Sequence, residues 1–349
     1  MRKTTSHTHL DRREFLTRIC NALALGVAVA PVTSGVAAAR RATERTMCLS
    51  GNPTLAQEYL SIESTIGATA ADCSRLSAIM DRILTRMQPA VLRLNVSELR
   101  KREAVELLNR IGESFNREGF RFCTHSTLLC TSLRTREIAC LHAAAIVFSL
   151  GETTGLPLSM LKVPSHVFLR MRLGNGQALN WDIYLENNGI GADDNDYLQS
   201  YRLDTKTARR AGYLCNLTRP QMLALEYNAL GVAWIAESEW DRAAWSFSEA
   251  IALDPRMPEA FKNRGTAKYR RAPAIPGGEP AQRTELLSAL ADLEEAVRIN
   301  GNCAEALYSL GLTHFALNEP DSARHFLHSA ERLDPNYSRS ALSLALNKN

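Results

Sequence analysis

Glycine and proline are sparse, 19 and 13 in 349 residues, which excludes a collagen-like or low-complexity polymer. A basic excess is also missing from most of the chain. The formal charge is +4, but residues 1–39 hold five Lys/Arg and two Asp/Glu, and the remainder carries 36 Lys/Arg against 35 Asp/Glu. Nucleic-acid-binding surfaces leave a basic excess behind, so no nucleic-acid partner is expected. Paired Cys-x-x-Cys elements are absent too. Cys123, His125, Cys130 and Cys140 could be read as a zinc set, but without such pairs no metal and no cofactor is expected. What is present is ordinary core material: 45% hydrophobic and 22% charged residues exclude a mainly disordered chain. The length favours two domains.

The first forty residues read as an address. Arg12-Arg13-Glu14-Phe15-Leu16 precedes an uncharged stretch, Ile19 to Ala39, that ends in three alanines. This resembles a twin-arginine export signal, with small residues suited to a signal peptidase. Asn21, Pro31, Thr33 and Ser34 make the stretch a poor bilayer span. The expectation is a signal peptide over 1–39 cleaved near Ala39, a linker over 40–56, a periplasmic or otherwise exported mature protein, and no membrane span after cleavage. The mature chain then keeps Cys48, Cys73, Cys123, Cys130, Cys140, Cys215 and Cys303. That odd count allows disulfides and at least one free thiol.

The C-terminal third repeats itself. Tyr227, Leu230, Gly231, Ala243, Phe247, Ala250 and Pro255 recur as Leu307, Leu310, Gly311, Ala323, Leu327, Ala330 and Pro335. A middle copy holds Phe261, Gly265, Ala289, Leu293 and Ala296. The period is 34 residues, lengthened in the middle copy by an insertion at about 271–284, where prolines and glycines oppose a helix. The pattern resembles tetratricopeptide repeats. It implies an all-α solenoid over 220–349, made of repeats 224–257, 258–303 and 304–337 plus a closing helix. By that resemblance Asn228, Lys262, Tyr269 and Tyr308 lie on first helices and line a groove for a protein or peptide partner.

Between these parts the apolar spacing is first helical: Leu76, Ile79, Met80 and Ile83, then Val105, Leu108, Ile111 and Phe115. Cys140 opens a helix that stops at Gly155, and the positive end of a helix favours a thiolate. After Pro157 the period becomes two. Strands are expected over 158–163, 166–173 and 178–185. The shared apolar face of the last two demands an odd-numbered loop, which Gly174-Asn175-Gly176 supplies. That register makes His166 and Asp182 diagonal neighbours on one face. Asp193, Asp194 and Asp196 read as a solvated acidic loop.

A thiol at a helix start, then His and Asp on adjacent strands, resembles the transglutaminase-like and papain-like cysteine enzymes. It is closest to bacterial transglutaminase-like proteins that continue into tetratricopeptide repeats. Leu133-Arg134-Thr135-Arg136, Thr154-Gly155-Leu156-Pro157-Leu158, Val163-Pro164-Ser165-His166 and Asn180-Trp181-Asp182 carry the likeness. Ile138 stands where relatives often have glycine. The resemblance implies an α+β transglutaminase-like domain over 57–213, with a helical N-terminal part and a Cys-bearing helix packed on a small antiparallel sheet. It implies Cys140 as nucleophile, His166 as base and Asp182 as orienting acid. The expected activity is acyl transfer on a protein or peptide, by a peptidase, amidase or amide-crosslinking enzyme. The alternative is a catalytically decayed domain that serves with the repeats as a protein-binding scaffold in the cell envelope.

Overall fold

The computed structural model describes residues 52–91, 94–124, 128–183 and 189–339. The segment expected as an export signal, the expected linker up to residue 51 and the expected closing helix from residue 340 lie outside the described residues. Helices α1 (Leu55–Glu63), α2 (Ala70–Val91) and α3 (Lys101–Arg117) come first. Thr54 opens α1 with a capping box to Gln57, satisfying N–H groups that the first helical turn leaves without partners. The apolar stripes behave as their spacing demands: Leu76, Ile79, Met80 and Ile83 of α2 and Leu108, Ile111 and Phe115 of α3 are buried, with Val105 half-buried. Strand β1 (Arg121–Phe122), helix α4 (Leu129–Thr135) and strand β2 (Glu137–Ile138) follow, and β1 and β2 pair in parallel. Ile138, two residues before Cys140, is fully buried, so it is a packing residue.

Helix α5 (Cys140–Thr154) carries the cysteine and ends at Gly155, whose φ of 73° is the left-handed conformation that terminates helices. Strands β3 (Leu158–Val163), β4 (His166–Arg172) and β5 (Ala178–Trp181) form an antiparallel sheet in that order. In β4–β5, Leu169 faces Trp181, Met171 faces Leu179 and Arg172 faces Ala178, the register of a three-residue loop over 174–176. Strand β5 is shorter than its period-two pattern. After Trp181 the chain turns back, so Trp181 bridges Ile190 and the Asp182 N–H donates to the Gly189 carbonyl at 3.1 Å.

Phe168 is an apolar residue on the otherwise polar face of β4, and the structure supplies the reason. Helix α6 (Asp194–Ser200) covers the second face of the sheet, and Tyr197 stacks on Phe168 at 4.2 Å. The aspartates expected as a solvated loop are the start of that helix. Asp193 and Asp196 close a capping box, while Asp194 accepts from Arg170 and Asn180. Capping exploits the carboxylate's affinity for unpaired N–H groups, so the cluster is local architecture.

Helix α7 (Thr205–Ala211) leads to three helix pairs: α8 (Arg219–Ala236) with α9 (Trp240–Leu253), α10 (Pro258–Arg271) with α11 (Gly278–Ile299), and α12 (Ala304–Ala316) with α13 (Pro320–Leu333). Each first helix presents a glycine to a large residue of its partner. A Cβ would stand 2.4 Å from the Phe247 ring at Gly231, 2.7 Å from Leu293 at Gly265 and 2.6 Å from Leu327 at Gly311. This is tetratricopeptide-type packing. The insertion is less loop-like than its prolines suggest: a 3₁₀ turn over Ala272–Ala274 is followed by α11, which starts at Gly278 with Pro280 in its first turn. Proline is tolerated there because first-turn N–H groups lack intrahelical acceptors. Gly231→Ala is expected to lower stability by about 1–3 kcal/mol, because the buried Phe247 ring cannot retreat. An unchanged urea midpoint would refute the close approach.

The repeats and the preceding part share one hydrophobic core. Leu217, Met222, Leu225, Met257 and Ala260 cluster with Leu55, Tyr59, Ile146 and Trp181. The connector is stitched to the sheet, with Leu214 N–H donating to Lys162 O at 3.0 Å and Leu217 N–H to Met160 O at 2.8 Å. These bonds cover the β3 edge, whose open backbone would otherwise invite foreign strands.

Candidate active site at the start of α5

Three elements carry the predicted residues, and the sheet pairs two of them, His166 and Asp182. Cys140 is the first residue of α5 and half-buried. His166 opens β4 directly after a tight turn in which Ser165 has φ 56°. Asp182 follows the last residue of β5. His166 Nε2 and Asp182 Oδ2 lie 2.7 Å apart, and both residues are buried. Gly189 secures this position from behind. At φ 55° its absent Cβ would fall 1.8 Å from the Asp182 carbonyl oxygen, so only glycine fits beneath the aspartate backbone.

Burial alone would push His166 below the usual histidine range. The Asp182 charge, helped by Tyr201 and Cys140, outweighs it and holds the imidazole well above that range. An anion in a poorly solvated site favours the protonated ring. None of the six cysteines among the described residues is in a disulfide. A cavity of about 450 Å³ lined by Leu84, Gln88, Val91 and Thr154 lies at the opposite end of α5 from Cys140.

All four predicted groove residues sit on first helices: Asn228 on α8, Lys262 and Tyr269 on α10, Tyr308 on α12. Two are held by neighbouring first helices. Asn228 Oδ1 accepts from Asn263 at 2.9 Å, and Lys262 is ion-paired with Glu305. Tyr269 packs beside the Ala272, Leu286 and Leu317 cluster, and Tyr308 contacts Tyr337 at 4.9 Å. His325 packs edge-on against Phe326, and His328 faces Glu331 at 3.7 Å.

The sequence pattern missed a second group, two residues beyond Cys140. His142 Nε2 lies 3.0 Å from Glu226 Oε2 and 3.8 Å from Glu63 Oε1, and all three residues are buried. Burial pushes Glu226 up to about 7 and, with the neighbouring Glu226 charge, pushes Glu63 well up; it drives His142 down to about 4. Each residue is an isolated polar position on a mainly apolar helix face, so no local spacing could reveal the group.

No protein-family model matches the chain, and no curated protein matches it. Among solved structures it is similar to the first TPR domain of the human RPAP3 protein. It is also similar to the first TPR of Spaghetti (RPAP3), determined bound to an HSP90 peptide. Each match has 22% identity and a TM-score of 0.31, and covers 37% of this chain and 90% of the other. Among the described residues no helix is long and apolar enough to cross a membrane.

Proposed function

We propose that the protein is a transglutaminase-like cysteine enzyme that performs acyl transfer on a protein or peptide, with the helix pairs recognising the macromolecule. The observation that carries this reading is the buried 2.7 Å pairing of His166 with Asp182 on the sheet beside the N-terminus of the Cys140 helix. Asp182 engages Nε2, which leaves Nδ1 as the nitrogen to face the thiol. His166 takes the Cys140 proton, and the sulfur attacks an amide or ester carbonyl. The collapsing intermediate expels an amine or alcohol, which receives that proton, and leaves a thioester on Cys140. Water or an amine then resolves the thioester. The backbone N–H of Cys140, in a first helical turn, is suited to hold the developing oxyanion. The proposed setting is outside the cytoplasm, on the strength of Arg12-Arg13 and the segment that follows them.

The test is acyl trapping. An activated peptide ester is expected to add one acyl group to Cys140, seen by mass spectrometry, and Cys140→Ala should abolish it. His166→Ala should slow acylation about 10²–10⁴-fold, the usual contribution of a general base. Acylation spread over Cys215 and Cys73 at the rate of Cys140 would leave the scaffold reading in possession of the site.

A further inference from the structure

We propose that Glu63, His142 and Glu226 form a buried site for one divalent first-row transition cation, with Zn²⁺ the ion that best suits the donor set. The three residues come from α1, α5 and α8, so the site would join the N-terminal helix, the cysteine-bearing helix and the first repeat helix. One ligand atom from each lies within 4.8 Å of the others. A zinc ion binds imidazole nitrogen and carboxylate oxygen at about 2.0–2.2 Å, so tetrahedral donors stand roughly 3.3 Å apart. The distances from His142 Nε2 to the two carboxylates, 3.0 and 3.8 Å, bracket that spacing.

Charge supplies the second argument. Two carboxylates are wholly buried here, and among the described residues neither has a Lys or Arg within ion-pair distance. Burying uncompensated charge is strongly unfavourable. One dication with a neutral imidazole balances two carboxylates to zero. Glu226 Oε1 and His142 Nδ1 are buried and lack a hydrogen-bond partner, so the carboxylate has an oxygen left for coordination. Glu63 is oriented from outside the cluster: the Leu129 and Cys130 N–H groups at the start of α4 donate to its two oxygens, the latter at 2.7 Å. Such contacts fix a ligating carboxylate and leave further lone pairs for a metal. With every member buried, the ion would enter as the chain folds and act in structure, separate from the acyl-transfer chemistry.

The test uses untagged full-length protein. Purified from zinc-supplemented cells, it is expected to carry about one equivalent of zinc by elemental analysis. Refolded from chelator with Co²⁺, it should show the visible absorption of a low-symmetry cobalt site and a higher melting temperature than the metal-free refolded chain. Glu226→Gln keeps the side-chain shape and should lower metal content at least tenfold. Metal-free wild-type protein that gains no cobalt absorption on refolding would overturn the proposal, and the carboxylates would then share a proton. Undiminished metal in Glu226→Gln would overturn it equally. Acylation of Cys140 is read separately, so the two proposals fail independently.

Discussion

Iodoacetamide at pH 6 is expected to label Cys140 at least about tenfold faster than Cys215, the exposed thiol. An ordinary cysteine titrates near 8.5 and is only roughly 0.3% thiolate at that pH. At the start of α5 the neighbour to consider is His166. Burial disfavours a charged His166, but Asp182 at 2.7 Å overrides burial, so the ring keeps its proton above the ordinary histidine range. A cation beside a sulfur at a helix N-terminus stabilises the anionic nucleophile. The sign of the pH dependence follows: the advantage is present at pH 6 and fades as pH rises through the elevated His166 value. His166→Ala should remove it. Asp182→Asn should reduce it, since burial then acts on the imidazole with less opposition. Peptide mapping after a timed pulse resolves each thiol, and circular dichroism confirms that the variants are folded. Equal labelling of Cys140 and Cys215 in the wild type would end the catalytic reading.

The parts of this arrangement that were legible in the sequence are those written at short range. Val167, Leu169, Met171 and Leu173 against Leu179 and Trp181, joined by three turn residues, leave one register that buries both apolar faces. That register alone put His166 and Asp182 side by side. The glycines of the repeats were legible for a similar reason, since Gly231 and Gly311 stand at the same offset from Phe247 and Leu327, an offset that the insertion lengthens between Gly265 and Leu293. The shortened β5 and the cover over Phe168 depend on the return of the chain after Asp182, which no periodicity encodes. Groups assembled from distant helices were out of reach. His142 and Glu226 are 84 residues apart, and neither is distinguishable in the sequence from a lone polar residue. Sequence spacing also suggested two separable domains, because the change from strand period to helix repeat falls near residue 213. Packing shows that this change of pattern is no break in the core.

Removal of everything after Tyr213 is therefore expected to abolish folding of what remains, and the full chain should melt in one transition. The boundary near residue 213 is crossed by interactions that neither side can replace alone. Tyr59 Oη donates to the Met222 carbonyl at 2.8 Å, and Arg219 binds Glu58 and Glu152. Lys162 of β3 pairs with Asp254 at 2.6 Å, with both side chains at most 3% exposed. Truncation would strip apolar cover from α1, α5 and the sheet and leave the Lys162 ammonium without its anion. A milder change isolates the last effect. Asp254→Asn should cost about 3–5 kcal/mol, the range for breaking a buried ion pair, because an amide cannot neutralise the ammonium that remains. Replacing Lys162 by Met together with Asp254→Asn should recover much of the loss, since the penalty lies in the unpaired charge. Calorimetry of the full chain and near-ultraviolet circular dichroism of the truncated one decide the matter. Two separated transitions, or a truncated chain with native tertiary signal, would show that the cysteine-bearing part folds without the repeats. A single transition that moves with Asp254→Asn would mean that the repeat helices and the cysteine helix unfold as one unit, joined across the boundary by the buried Lys162–Asp254 pair.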